Sequence, residues 1–105
     1  MIWWRRKVAL VSRAEVATAT PERYARQLVS HLGGKIPVTS TDDGDVFSFD
    51  DGRGLVQIGD GVLVLRAEAV GEKALGVVQD VLGRHLERFG AKQELAVSWS
   101  APAPA

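Results

Sequence analysis

Apolar residues recur at helical spacing in two segments of the chain. In the first, Tyr24, Leu28 and Leu32 are four residues apart, and Pro21 is typical of a helix start. In the second, which covers residues 71–89, six residues fall on one face: Ala74, Val78, Val81, Leu82, His85 and Phe89. Both segments are predicted to be amphipathic helices, and each ends where a glycine follows the apolar stripe.

Short segments with period-two patterns surround these helices. Four strands are predicted between them, over residues 36–40, 46–49, 55–58 and 62–68, because Asp/Gly clusters that favour tight hairpins separate the segments. A first strand is predicted over residues 13–18 and a last one over 95–99, where Leu95, Val97 and Trp99 alternate with smaller residues. The order β-α-β-β-β-β-α-β predicts an α+β two-layer sandwich, an antiparallel sheet with both helices on one face. We therefore expect an N-terminal extension over residues 1–11, one domain over 12–100, and a disordered Ala/Pro tail over 101–105.

Composition narrows the classes of function. The chain has 105 residues, and its 13 Lys and Arg balance its 13 Asp and Glu, which argues against nonspecific nucleic-acid binding. Cysteine is absent, so disulfides and thiolate chemistry are excluded. No apolar run approaches the ~20 residues of a membrane span, and a cytoplasmic location is expected. Residues 3–7, Trp-Trp-Arg-Arg-Lys, are expected to pack on the domain or stay loose, with contact to a membrane surface as the alternative.

The two histidines are the most chemically loaded residues. His85 lies near the centre of the second helix's apolar arc, so we expect a core residue bonded to a backbone carbonyl or a sheet residue. The alternatives are a ligand or haem contact in a pocket between helix and sheet, or proton transfer. His31 lies near the end of the first helix, as a helix-terminal cation or a rim residue. Because four strands separate the helices, we expect them to be antiparallel, with the histidine-bearing ends towards opposite edges, which argues against chelation of one ion.

Other candidate residues give no catalytic set. Arg84 and Arg88 form a cationic edge, which is either solvated or able to recognise an anion such as a carboxylate or a siderophore group. Tyr24 and Arg88 are candidates to lie near a substrate if a histidine acts as a general base. No serine sits on a nucleophile elbow, and neither helix carries paired metal ligands. No metal site, cofactor or enzyme class is indicated.

Three segments and the closing Val97–Trp99 resemble one bacterial family, catalogued as domain of unknown function 2218. The segments are residues 21–28 (PERYARQL), 63–69 (LVLRAEA) and 84–90 (RHLERFG). The resemblance implies a small two-layer α+β domain with no established activity. It also implies a link to siderophore-interacting proteins and hence to iron acquisition. Residues 1–11 depart from the family's usual short start.

Three functions are consistent with these observations. The leading hypothesis is a cytoplasmic, non-enzymatic accessory or ligand-binding domain that takes a small molecule or works with a siderophore-related protein. Its ligand-binding candidates are His85, Arg88, Tyr24, His31 and Arg84. The second hypothesis is a homodimeric interaction module that uses the open sheet face or an edge strand. The third is a small enzyme with a histidine general base.

Overall fold

Six antiparallel strands form one sheet, and two helices pack together against one of its faces. The computed structural model describes residues 8–105. The elements are β1 (Leu10–Ala17), α1 (Pro21–Leu32), β2 (Val38–Thr41), β3 (Gly44–Phe49), β4 (Gly52–Gly59), β5 (Val62–Ala69), α2 (Glu72–Phe89), a short 3-10 helix (Ala91–Gln93) and β6 (Ala103–Pro104). The predicted fold class is confirmed, and the element order matches the prediction except at the carboxyl terminus. Neither helix within residues 8–105 is both long enough and apolar enough to cross a membrane.

The spatial order of the strands is β2-β3-β4-β5-β1-β6. The three hairpins after β2 follow the chain, as the Asp/Gly turns predict. β1 pairs with the far side of β5, in a register that places Ala14 opposite Leu65. The helices that follow β1 and β5 consequently leave neighbouring strands, and they contact one another.

The carboxyl-terminal segment differs from the prediction. Residues 95–99 are irregular and not a strand, because the Val97 N–H donates to Glu87 Oε2 (2.9 Å) and the Trp99 ring packs against Gly83 of α2. The Ala/Pro tail, for which disorder is expected, instead pairs with β1 as β6. Pro104 is tolerated there because an outermost strand needs no further donor on its free side.

The start of β1 also shifts. The strand begins at Leu10 and not at Arg13, so it takes in the last two residues of the extension predicted over 1–11. Residues 1–7 of that extension lie outside the described residues, as does the alternative of membrane contact by residues 3–7.

The core lies between the sheet and the helices. Seven large side chains in it are fully buried: Leu28, Phe47, Leu63, Leu65, Leu75, Leu82 and Leu86. On the inward face of β4 stand Gly52 and Gly54, which carry no side chain. An added Cβ on Gly54 would overlap the Leu82 side chain of α2. These two glycines therefore allow α2 to approach the sheet closely.

Candidate functional site

The two histidines lie side by side. His31, exposed on the last turn of α1, and His85, half-buried on α2, have ring centroids 5.1 Å apart, with ring planes inclined by 48°. The expectation that the helix ends carry them towards opposite edges is therefore wrong. The expectation overlooked two facts. The helices differ in length, and the strands that precede them are neighbours in the sheet.

Two contacts fix the position of α1 along α2. The Tyr24 hydroxyl, near the start of α1, donates to Gln93 Oε1 (2.8 Å), just beyond the end of α2. At the other end of α1, His31 reaches His85. Both contacts lie in or beyond the second half of α2. The 12-residue α1 therefore lies alongside that half of the 18-residue α2. The two helices are antiparallel, but the end of α1 reaches only as far as His85, so the two rings still meet.

His85 lies beside the core and not within it. The buried stripe of α2 runs through Leu75, Val78, Leu82 and Leu86, so His85 falls on the flank that faces α1. Its Nδ1 is 2.7 Å from the carbonyl oxygen of Val81, one turn earlier. The expected bond to a backbone carbonyl is present, and the carbonyl belongs to the residue's own helix.

That hydrogen bond determines the tautomer of the His85 ring. A carbonyl oxygen only accepts, so Nδ1 must carry the proton and donate it. In the neutral ring, Nε2 is then unprotonated and keeps its lone pair. His85 therefore offers an electron-pair donor on the side of the ring away from Val81.

Phe89 completes the group, which we call the histidine cluster (His31, His85 and Phe89). Its ring meets that of His31 edge-on at 5.4 Å, with planes inclined by 77°, and lies 6.3 Å from His85. Gln27 precedes His31 by one turn of α1 and shares its side of the helix. The Gln27 Oε1 atom is buried and accepts no hydrogen bond from the residues that the structure describes. A buried acceptor thus lies one turn from the cluster.

The remaining predicted residues have other contacts. Tyr24 is buried, and its hydroxyl anchors α1 to the 3-10 helix. Arg84 is exposed and pairs with Asp80 at 3.7 Å, a solvated i,i+4 contact. Arg88 is exposed on the same helix. Of the five predicted residues, the ring contacts bring together His31 and His85.

A cleft distant from the histidine cluster was not predicted from the sequence. We call it the Phe49 cleft; it encloses about 540 Å³ between the β3–β4 turn and the start of α2. Its apolar wall is formed by Phe49, Val70, Ala74 and Val77, and its charged rim by Asp50, Asp51, Glu72 and Lys73. The feature that could have indicated it is an apolar residue outside the two predicted stripes. Val77 lies off the apolar arc of α2 and is 49% exposed.

An ion-pair network lies on the sheet face opposite the helices. Glu68 Oε1 accepts from Arg53 Nε (2.7 Å), and Oε2 accepts from Arg66 Nε (2.6 Å). Burial raises the pKa of Glu68, but the hydrogen bonds and charges of the two arginines outweigh it, so the pKa lies below the ordinary value of 4.5. The network therefore stabilises the ionised carboxylate.

Substitution of Glu68 by glutamine is expected to lower the free energy of unfolding by about 1 kcal/mol at pH 7, since both arginines are partly solvated. The folded-state pKa is the lowered one, so the stabilisation is complete above pH 4.5 and is lost as the pH falls through that pKa. Urea titrations at several pH values measure the difference in the free energy of unfolding between wild type and Glu68→Gln. Glu15→Gln is the matched control, because Glu15 pairs with Arg13 on the same face but is 61% exposed. A difference between wild type and Glu68→Gln that persists unchanged in acid would contradict the assignment.

Comparison with known proteins supports the fold. The family model described as "Uncharacterized protein conserved in bacteria (DUF2218)" matches residues 13–100. The solution structure of PA4090 from Pseudomonas aeruginosa is similar, with a TM-score of 0.73 and 24% identity over 87% of this chain and 95% of that one. At this identity, the likeness shows the fold alone.

A weaker likeness is to a phosphoglucomutase/phosphomannomutase family protein from Burkholderia thailandensis. The TM-score is 0.49 at 27% identity, over 82% of this chain and 19% of that one. No curated protein matches the chain.

Proposed function

The chain belongs to the DUF2218 family of uncharacterised bacterial proteins, and we propose that it is a small-molecule-binding domain and not an enzyme. The observation that carries the proposal is the Phe49 cleft. Its volume of about 540 Å³ falls within the roughly 300–1,000 Å³ typical of small-molecule sites. Apolar walls with a few polar groups at the rim are the usual composition of such sites.

The apolar wall supplies the driving force for binding. Val70 and Val77 are 38% and 49% exposed, so a ligand that covers them removes apolar surface from water. Each square ångström so covered contributes about 25 cal/mol. Phe49 adds an aromatic face from the end of β3. The body of the ligand is therefore apolar.

The rim selects the charge of the ligand. Three carboxylates, those of Asp50, Asp51 and Glu72, stand against one ammonium group, that of Lys73. Opposite charge at a partly solvated rim steers a ligand and orients it. The proposed ligand is accordingly a small molecule with an apolar body and a cationic end, such as an arylalkyl amine.

Three probes of one size test this assignment: 4-phenylbutylamine, 4-phenylbutanol and 4-phenylbutyrate. In two-dimensional amide NMR titrations, the amine is expected to shift Val70, Gly71 and Val77, the alcohol to shift them at higher concentration, and the carboxylate to bind most weakly. If none of the three probes shifts these amides, the cleft is not a binding site. An equal response to all three would contradict the charge assignment.

Val77→Ser is expected to weaken binding of the amine about tenfold, because it removes apolar contact from the wall. Ile58→Ser is the matched control. Ile58 is 52% exposed, lies outside the cleft, and is expected to leave the affinity unchanged. Equal affinities of the two variants would contradict the role given to the wall.

Iron handling, which the family resemblance implies, stays a prediction. Adding haem or a ferric siderophore to the same samples tests it, through a change in the absorption spectrum or in the melting temperature. The cytoplasmic location, the homodimer and the histidine general base also stay predictions. Light scattering over a dilution series tests the homodimer.

A further inference from the structure

We propose that His31 and His85 together bind one divalent first-row transition-metal ion, at a site separate from the Phe49 cleft. The first support is the separation of the rings. Two imidazoles bound to one tetrahedral ion, with metal–nitrogen distances near 2.0–2.1 Å, have ring centroids roughly 5 Å apart. The centroids of His31 and His85 are 5.1 Å apart. The observed separation of the rings therefore matches the separation that a shared ion requires.

The second support is the protonation pattern of His85. Metal-bound histidines commonly donate their other ring N–H to a backbone carbonyl or a carboxylate, which fixes the tautomer and the ring orientation. His85 Nδ1 is 2.7 Å from Val81 O, so this arrangement already exists. Nε2 of His85 is left as the ligand atom. The ring is already oriented in the folded protein, so metal binding does not have to order it.

The surroundings of the rings allow an ion to enter and to keep water ligands. His31 is exposed, so one side of the site faces solvent. Residues 8–105 contain no cluster of three or more histidine, aspartate or glutamate side chains suited to a metal, so the protein supplies two imidazoles and the other positions are open.

The donor set selects the metal. Imidazole nitrogen suits Zn²⁺, Ni²⁺ and Cu²⁺, whereas Mg²⁺ and Ca²⁺ prefer oxygen ligands. By the usual order of stability, Cu²⁺ should bind more tightly than Ni²⁺ or Zn²⁺. Two open positions also suit an ion that arrives with a small chelator still attached. Such a site holds a metal reversibly.

The composition of the chain excludes competing imidazole and thiolate ligands from the test. It contains two histidines and no cysteine, so these rings are its whole supply of imidazole and thiolate ligands. The experiment is isothermal titration calorimetry of the full chain, free of any affinity tag, with NiCl₂ and with ZnCl₂ at neutral pH. One ion per chain is expected, and MgCl₂ is expected to give no heat of binding.

Two substitutions and one control locate the site. His31→Gln and His85→Gln are each expected to weaken binding of Ni²⁺ at least tenfold, and the double variant, which keeps no imidazole, is expected to give no heat of binding. His31 is exposed, so its substitution leaves the fold intact. Arg84→Gln, one residue from His85 and exposed, is expected to bind as the wild type does. Unchanged affinity in either histidine variant would overturn the proposal.

A direct measurement covers the case in which His85→Gln disturbs α2. Long-range ¹H–¹⁵N NMR of the imidazole rings in the wild-type chain reports each ring nitrogen separately. On addition of Zn²⁺, the Nε2 resonance of His85 is expected to shift to the metal-bound range, while Nδ1 keeps its proton. His31 is expected to shift at the same metal ratio. A shift confined to one ring, or rings that respond at different ratios, would show that the two histidines do not share an ion.

Discussion

Replacement of Phe47 with alanine is expected to lower the free energy of unfolding by about 3–5 kcal/mol. Phe47 is fully buried, and its partner across the β3–β4 ladder is Gly54, which has no side chain. The phenyl ring therefore fills space that no residue on the neighbouring strand can occupy. Its removal leaves a cavity in the core between sheet and helices, in addition to the lost transfer of the ring from water.

Urea denaturation at neutral pH measures the loss as a fall in the transition midpoint at constant slope. Ser48→Ala is the matched control, since Ser48 is the next residue of β3 and is exposed. That control should change stability by no more than about 0.5 kcal/mol. The free energy of unfolding of a small domain is about 5–15 kcal/mol, so Phe47→Ala removes a large share of the stability. A midpoint no lower than that of Ser48→Ala would show that the ring is not part of the core.

Gly44→Ala is expected to be the most damaging change in a turn, at about 3 kcal/mol. Gly44 begins β3 with a φ of +130°, a backbone conformation that side chains rarely tolerate. An added Cβ would also overlap the carbonyl oxygen of Val56 on β4. That carbonyl belongs to a paired strand and cannot move without disturbing the ladder.

Gly61→Ala separates the two causes. Gly61 also has a positive φ, +66°, but no atom lies within 4 Å of the place that its Cβ would take. Its substitution should therefore cost only the left-handed conformation, about 1–2 kcal/mol. Thermal or urea unfolding of the two variants gives the comparison. Equal losses would mean that the contact with Val56 has no energetic weight.

The local parts of the fold were predictable from the sequence. The turns after β2, β3 and β4 carry Asp and Gly, and the hairpins form there. The stripe Tyr24, Leu28 and Leu32 is buried as its spacing predicts. These features depend on residues close in the chain, whose effects on the backbone are direct.

The arrangement of the elements in space was not predictable in the same way. The prediction for His31 and His85 counted strands along the chain, but β1 pairs beyond β5, and this pairing brings the helices together. Alternation over residues 95–99 is a genuine pattern, yet Val97 and Trp99 contact Glu87 and Gly83 of α2, and the segment forms no strand. The Phe49 cleft forms only where residues 49–52 meet residues 70–77, and the exposed Val77 alone does not show which segment lies opposite it.

Gly52 has two roles, because it lines the Phe49 cleft and also lies beneath α2. An added Cβ there would be 2.6 Å from Glu68 O and 3.2 Å from Val78 Cγ2. Any enlargement of this residue would push helix and sheet apart, so it cannot be used to reshape the cleft. Val70 and Val77 carry no such constraint, because they are exposed. The ligand preference proposed for the cleft can therefore diverge through these two valines with little loss of stability, whereas the floor at Gly52 is held constant by the fold.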